Sequence, residues 1–190
     1  RTRWRIVKAS PALEFPEPKL GGRFKLKNKL TEGMIAGIKE TFDNRANPGE
    51  TTLLAIANHV GIISDFYNLK ENGILFTGGR QKAGISLIID GKNVNIKKAQ
   101  IEIDGGFEWA KTVVIVEMKS SFKQTSFDTN QALIPMLKWR ELLKNKRINS
   151  LVLLSETIKK GIEYWAYDLI EDKGKKMRVK RSKKYIIRLN

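Results

Sequence analysis

Apolar residues in the first third of the chain predict helices. Between residues 30 and 42 they recur at the spacing that places side chains on one face of a helix. A second apolar stretch over 53–57, directly after Thr51-Thr52, predicts another helix. The earlier segment 11–29 contains three prolines and two adjacent glycines, and we interpret it as an irregular arm.

The period of the pattern changes to two at Gly84, which indicates strands from there onward. The predicted strand over 85–89 leads into Asp90-Gly91, a pair typical of hairpin turns. Further strands are predicted over 94–96, 100–109, 112–119, 150–154, 163–170 and 185–189, with a helix over 130–144. This order of elements predicts an α/β (α+β) fold in which helices flank a mixed central β-sheet.

We divide the chain into an N-terminal arm and helical segment over 1–83 and a sheet-containing unit over 84–190. Within the first part, residues 53–75 are similar to a helix-turn-helix, with an apolar helix, a glycine in the turn and a second apolar helix. Ile63 gives this motif one residue too many. The alternative interpretation is two packed helices joined by an ordinary turn.

The composition excludes several classes of protein. The 190 residues include 36 Lys and Arg against 20 Asp and Glu, a formal net charge of +16, with no cysteine and one histidine. These counts exclude disulfide scaffolds, cysteine nucleophiles, the usual zinc fingers and chemistry that needs two histidines. Carboxylate–metal, acid–base or hydroxyl chemistry is still compatible with the sequence. The excess of positive charge indicates a polyanionic partner, most simply nucleic acid.

No apolar run reaches the roughly 18 residues of a membrane-spanning helix. The first residues also lack the apolar core of a secretory signal. We therefore expect a cytoplasmic protein with no membrane partner. Because the sequence starts without methionine, we also consider that it is a fragment of a longer chain.

An apolar strand ends in two charged residues, Glu117 and Lys119. Because side chains alternate between the faces of a strand, these two share a face with Val113 and Ile115. Isolated buried charges cost several kcal/mol, so the pair needs an explanation. A carboxylate that holds a metal ion, beside a lysine that neutralises charge on a phosphate, provides one. The alternative is a salt bridge at a solvated strand end.

The preceding strand offers a second carboxylate, Asp104. If residues 110–111 form the centre of a hairpin turn, Asp104 lies opposite Glu117. Two carboxylates at that separation repel each other unless a cation lies between them. The glycines 105–106 predict a β-bulge that redirects Asp104, and Glu102 is expected on the same face.

Asp104, twelve intervening residues and then Glu117-Met118-Lys119 resemble the Asp…(Asp/Glu)-x-Lys signature of the PD-(D/E)xK nuclease superfamily. The stretch 101–108 is also similar to one found in some type II restriction endonucleases. Ile103 stands where the family pattern often has proline. The resemblance covers about residues 85–155 and implies a restriction-endonuclease-like core of a helix, three antiparallel strands, a second helix and a further strand.

This resemblance implies a Mg²⁺-dependent DNA endonuclease that hydrolyses phosphodiester bonds, by analogy a type II restriction enzyme, with Mn²⁺ as an alternative ion. It implies that Asp104, Glu117 and the Met118 carbonyl bind the metal. It also implies that Lys119 orients the attacking water or stabilises the phosphorus that it attacks.

Two further positions come from the family pattern. Gln131 matches a glutamine that is frequent on the helix after the lysine strand. A glutamate from the helix before the sheet often joins such sites. Glu32 and Glu40 are the candidates, and the sequence does not select between them.

Basic and polar residues outside the signature are expected to hold double-stranded DNA. They are Arg80, Lys82, Lys123, Gln124, Asn130 and Lys138, together with Lys175, Lys176, Lys180 and Arg181 from the basic C-terminal run. A palindromic DNA site implies a homodimer, because the symmetry of the protein then matches that of the DNA.

Two other functions are compatible with the same residues. One is a non-catalytic DNA-binding module that uses the segment 53–75 and the basic C-terminal run. The other is a structure-specific nuclease, such as a junction resolvase, on the same fold. A divalent-ion-dependent cleavage assay separates the nucleases from the module, and discrete fragments separate a restriction enzyme from a junction nuclease.

Overall fold

The computed structural model describes residues 13, 15–25, 36, 48–89, 92–122, 127–159, 161–172 and 176–188. The helix predicted over 30–42 lies outside these ranges except for Ala36, which is helical. Glu32, Glu40 and the predicted turn Asp90-Gly91 also lie outside them.

Seven strands and three helices are formed by these residues. The strands are β1 (Leu20–Lys25), β2 (Ile74–Ile89), β3 (Lys92–Glu108), β4 (Thr112–Lys119), β5 (Arg147–Ile158), β6 (Gly161–Asp172) and β7 (Lys176–Arg188). The helices are α1 (Glu50–His59), α2 (Ile62–Tyr67) and α3 (Asn130–Leu142). In the described part of the chain, no helix has both the length and the apolar character needed to cross a membrane.

The strands form one sheet in the order β1-β7-β6-β5-β4-β3-β2. β1 runs parallel to β7 and β4 parallel to β5, whereas the other neighbours are antiparallel. Parallel neighbours need a crossover connection, and α3 lies in the connection from β4 to β5. The prediction of an α+β chain with a mixed sheet flanked by helices is therefore confirmed.

Helices cover both faces of the sheet. On one face, Leu54 of α1 and Phe66 of α2 pack in a buried cluster with Met118 of β4. On the other face, Met136 of α3 packs against Ile115. β4 is buried on both sides over its six central residues, which explains its continuous apolar sequence.

The arm predicted over 11–29 is not irregular throughout, because residues 20–25 form β1. This strand pairs in parallel with β7 at the edge of the sheet. A Cβ atom at Gly21 would lie 2.7 Å from the Cδ atom of Lys183. The glycine that suggested irregular structure instead allows the two strands to lie close together.

The segment 53–75 contains α1, a tight turn and α2. Gly61 has a φ angle of 88° in that turn, a conformation that favours glycine. Four of the six α2 residues are buried, and the exposed Asp65 pairs with Lys183 at 3.3 Å. This arrangement supports two packed helices rather than a DNA-recognition helix. The proposed division after residue 83 falls inside β2, and both helices share a core with the sheet.

Candidate active site

The hairpin of β3 and β4 places the two predicted carboxylates side by side. Phe107 lies opposite Val114 and Gly105 lies opposite Val116. The register predicted from the sequence is therefore confirmed up to the residue next to Asp104. Continued by one residue, the same register brings Asp104 beside Glu117 on the neighbouring strand.

A β-bulge in β3 changes the face toward which its side chains point. The pairing of β3 with β2 shifts by one residue between Gly106 and Ile103. In a regular strand Ile103 and Phe107 would share a face, but here they pack in clusters on opposite faces. The bulge that the glycines predict is confirmed, and it separates Asp104, which continues the register with β4, from Ile103 and the residues before it.

Glu117 and Lys119 form a buried ion pair. The Glu117 Oε1 atom lies 2.7 Å from the Lys119 Nζ atom, with the two side chains 8% and 15% exposed. Burial raises the pKa of Glu117 to about 7, although the hydrogen bond from Lys119 opposes the rise. Burial lowers the pKa of Lys119, but the hydrogen bond and charge of Glu117 outweigh it and leave that pKa raised. Lys119 is therefore a cation at neutral pH.

Asp104 and Glu50 add two carboxylates to this pair. The Oδ2 atom of Asp104 accepts a hydrogen bond from the backbone N–H of Met118, with an N···O distance of 2.7 Å. The Oε1 atom of Glu50 accepts one from the backbone N–H of Ser120 at 3.2 Å. The negative charges of both residues contribute to the raised pKa of Glu117. Three carboxylates and one ammonium group thus converge where β4 ends.

These groups line a cleft of about 400 Å³ between the sheet and the first turns of α3, which we call the active cleft because it contains the predicted site residues. Its other walls include Gln100 and Glu102 of β3, and Asn130, Gln131, Ile134 and Pro135 of α3. Gln131, the position taken from the family pattern, therefore lies in the same cleft as the catalytic candidates. The amino terminus of a helix also favours negative charge nearby.

Carboxylates and backbone carbonyls are the ligands that a divalent cation such as Mg²⁺ binds. Among the described residues, no group of three or more His, Cys, Asp or Glu side chains stands in a metal-binding arrangement, and Glu117 binds Lys119 instead. The Met118 side chain is fully buried on the opposite face. Only its backbone carbonyl can therefore take the predicted role of a ligand.

The sequence interpretation missed Glu50. This residue begins α1 directly after Pro48-Gly49 and lines the cleft beside Glu117. Acidic residues are common in the first turn of helices, so its position alone carried no functional signal. Like the glutamate of the family pattern, it lies on a helix before the strands of the site, whereas Glu32 and Glu40 lie outside the described residues.

The residues predicted to hold DNA lie in several different places. Arg80 pairs with Glu102 at 3.2 Å and Lys138 pairs with Glu141 at 3.2 Å, whereas Lys82 is exposed on β2. Asn130 lines the active cleft. Lys123, Gln124 and Lys175 lie outside the described residues, and Lys176 is the first residue of β7.

A second cleft, of about 450 Å³, lies at the other end of α3 and is strongly basic. Its cationic residues are Arg140, Lys144, Lys146, Arg147 and Lys180. Arg147 pairs with Thr112 at the start of β4, so this basic cleft lies roughly 20 Å from Lys119 at the end of the strand. Lys180, which the sequence predicts to bind DNA, therefore belongs to a separate cationic surface.

Arg181 is engaged inside the protein. Its guanidinium lies 3.5 Å from the buried Asp168 carboxylate and stacks on the rings of Phe66 and Tyr67. Tyr67 also donates a hydrogen bond to Asp168 at 2.9 Å, and burial together with the charge of Asp168 raises the pKa of Tyr67. In this position, Arg181 neutralises a buried carboxylate.

Comparisons with known proteins identify a family without assigning a function. Neither the curated proteins nor the solved structures include a match to this chain. The family model described as a domain of unknown function, DUF6997, matches residues 25–186. That range contains every residue of the active cleft and most of the sheet, and the chain therefore belongs to the DUF6997 family.

Proposed function

We propose that the chain is a Mg²⁺-dependent endonuclease that hydrolyses phosphodiester bonds in double-stranded DNA. The observation that carries this proposal is the buried Glu117–Lys119 pair, which shares one cleft with Asp104 and Glu50. Burial of an ion pair is a weak source of stability, so its place among further carboxylates favours a role in binding or chemistry. The resemblance to the PD-(D/E)xK superfamily points to the same activity, and the proposal includes a restriction-endonuclease-like core.

The groups of the cleft have separate roles in this reaction. Asp104, Glu117 and Glu50, with the Met118 carbonyl, would hold the divalent ion. When bound, the ion would polarise the phosphate and lower the pKa of a bound water. Lys119 remains an ammonium group because its pKa is raised. Its charge would stabilise the negative charge that develops on the phosphate oxygens.

The bond changes are those of an in-line displacement. A water oxygen forms a bond to phosphorus while the opposite P–O bond to the sugar breaks. The water releases a proton to solvent, and the departing sugar oxygen takes one up. Gln131 and Asn130, on the first turn of α3, would donate hydrogen bonds to the phosphate oxygens that do not react.

Cleavage of plasmid and phage DNA in Mg²⁺ tests the proposal. Wild-type protein should cut, and Asp104→Asn, Glu117→Gln and Lys119→Met should each reduce the rate by about 100-fold or more. Higher Mg²⁺ should partly restore the two carboxylate variants, because they lose metal affinity. It should not restore Lys119→Met, because the lysine acts on the phosphate.

Glu71→Gln is a matched control, since Glu71 is exposed and lies at the opposite end of β4, where its backbone carbonyl accepts a hydrogen bond from Trp109. It should cut like the wild type. Circular dichroism and DNA binding of every variant would show that the fold is retained. Near-wild-type cutting by any one of the three cleft variants would refute the assigned roles.

The products distinguish the forms that this nuclease could take. Discrete fragments with defined ends would support a type II restriction enzyme, which at a palindromic site acts as a homodimer. Cutting of branched DNA alone would favour a junction nuclease. Binding without cutting in Mg²⁺ or Mn²⁺ would favour a non-catalytic DNA-binding module.

A further inference from the structure

β2 and β3 extend far beyond the rest of the sheet. β3 pairs with β4 only over Gly105–Glu108, whereas its pairing with β2 continues to Ile89 and Lys92. Residues 78–89 and 92–104 therefore form a two-stranded ribbon, which we call the β2–β3 ribbon. At about 3.3 Å per residue it is roughly 40 Å long.

The ribbon has a polar face that is exposed to solvent. Residues that pair directly across two strands share a face, and the pairs Arg80–Glu102, Lys82–Gln100 and Ser86–Asn95 belong to one face. Asn93 continues this face, since it lies two residues before Asn95. All of these side chains are exposed.

The opposite face of the ribbon is apolar and partly packed. Ile85 is 6% exposed and Ile101 is 4% exposed, and both belong to the buried cluster on the α3 side of the sheet. Val94 and Ala99 are half-buried. Packing of Ile85 and Ile101 attaches the ribbon to the core, whereas Ile96, which pairs with Ile85, is 39% exposed. The polar face is available for a partner.

The base of the ribbon is part of the candidate active site. Asp104 lies where the ribbon leaves β4, and Gln100 and Glu102 of the polar face line the active cleft. The polar face therefore borders the cleft at Gln100 and Glu102, while the apolar face of the ribbon packs on the α3 side. The ribbon carries five Lys and Arg residues against two carboxylates, Glu102 and Asp104, which favours a polyanion.

We propose that the β2–β3 ribbon reads the base sequence of DNA by placing its polar face in the major groove beside the phosphate that is cut. This inference rests on the proposed nuclease function. The major groove, about 12 Å wide, admits a two-stranded β-ribbon. Asn93 and Asn95 have side chains that pair with the adenine edge. Lys97 and Lys98, exposed on the same strand, are positioned to bind phosphates along the groove.

A binding selection from random-sequence duplexes tests the inference. Glu117→Gln serves as the parent protein, because it should bind without cutting. The parent should select a consensus sequence. Adding Asn93→Ala and Asn95→Ala should reduce discrimination about tenfold at the base pairs that they read, with less than about a twofold change in affinity for random DNA. Asn145→Ala, on the exposed turn between α3 and β5, is the matched control and should leave the consensus unchanged.

Protection of the selected duplex from methylation by dimethyl sulfate shows which groove of the DNA the protein occupies. The parent should protect guanine N7 in the major groove, and the Asn93→Ala, Asn95→Ala protein should lose that protection. Protection confined to adenine N3 in the minor groove would overturn the proposal.

The outcomes separate the ribbon proposal from the nuclease proposal. If the wild type cuts DNA but the double substitution leaves the selected consensus unchanged, the ribbon proposal is wrong and the nuclease stands. If the Glu117→Gln parent protein selects no consensus, the proposal that the ribbon reads the base sequence is also wrong. If the selection depends on Asn93 and Asn95 but the wild type never cuts, the ribbon proposal stands and the nuclease does not.

Discussion

At the scale of single residues, Glu117 is held where its own charge is unfavourable. Burial raises its pKa from 4.5 to about 7. A carboxyl group with a higher pKa in the folded state binds its proton more tightly there than in the unfolded chain. Its contribution to stability is therefore complete below pH 4.5 and is lost as the pH rises through about 7.

Glu117→Gln should remove this pH dependence, because an amide does not titrate. In EDTA, the stability of the variant relative to the wild type should increase by an amount on the order of 3 kcal/mol between pH 5 and pH 8. Urea denaturation at both pH values measures the difference. Glu156→Gln, at an exposed position, should follow the wild type. A relative stability of Glu117→Gln that is equal at both pH values would contradict the raised pKa.

The residues of the site differ in how visible they are in the sequence. Glu117 and Lys119 stand out because they end an apolar strand, and Asp104 because a short hairpin fixes its register. Glu50 is one acidic residue at the start of one helix, and it reaches the site only because α1 packs across the sheet. Arg181 is hidden for a similar reason, since its buried partner Asp168 lies on the neighbouring strand.

At the scale of elements, the bulge in β3 lies where the strand carries Asp104 beside β4. Gly105 lies in the middle of it and packs against α1. A Cβ atom there would be 2.7 Å from Leu54 Cδ2 and 3.1 Å from Phe107 Cε2. Both neighbours are buried, at 3% exposure each, so neither can move away freely.

Gly105→Ala should therefore destabilise the protein by about 1–3 kcal/mol, the usual result of overpacking a core. It should also slow Mg²⁺-dependent cleavage, because the added methyl group displaces the strand that carries Asp104. Gly84→Ala is a control on the same hairpin, where the nearest atom to a Cβ would be 3.8 Å away. Equal unfolding free energies for the two variants would show that Gly105 isn't tightly packed.

Element boundaries could be predicted from the sequence where the apolar period is regular. The strands after residue 84 and α3 follow from that period, as does the mixed sheet, except that β7 begins at Lys176, nine residues before the predicted strand. β1 and the start of β2 could not be found in this way. β1 contains two glycines and is stabilised by β7, which lies at the far end of the sequence. Ile74 and Leu75 at the start of β2 are both exposed. This part of the strand therefore lacks the alternation of buried apolar and exposed polar residues by which a strand is predicted.

At the scale of the whole molecule, the positive charge is divided between internal pairs and open surfaces. Lys183 pairs with Asp65 and Arg140 with Glu171. The basic cleft holds three cations, Lys144, Arg147 and Lys180, that form no ion pair with any other described residue. It lies roughly 20 Å from the active cleft, which is about six base pairs of a DNA duplex at 3.4 Å each. A duplex bound along α3 would therefore contact both clefts.

Removing these three charges should weaken DNA binding and reduce the dependence of the binding constant on salt concentration. Each phosphate contact contributes about −0.9 to the slope of log K against log salt concentration, so loss of three contacts should flatten that slope by about 2.7. We expect this for Lys144→Ala, Arg147→Ala and Lys180→Ala combined, measured by fluorescence anisotropy between 50 and 300 mM KCl. The selected consensus should be unchanged, because phosphate contacts carry no sequence information.

The combined replacement of Lys19, Lys70 and Lys159 by alanine, at exposed positions outside both clefts, removes the same charge and should leave the slope nearly unaltered. If that control flattened the slope equally, the net charge of +16 would act as a whole and the basic cleft would not be a DNA contact.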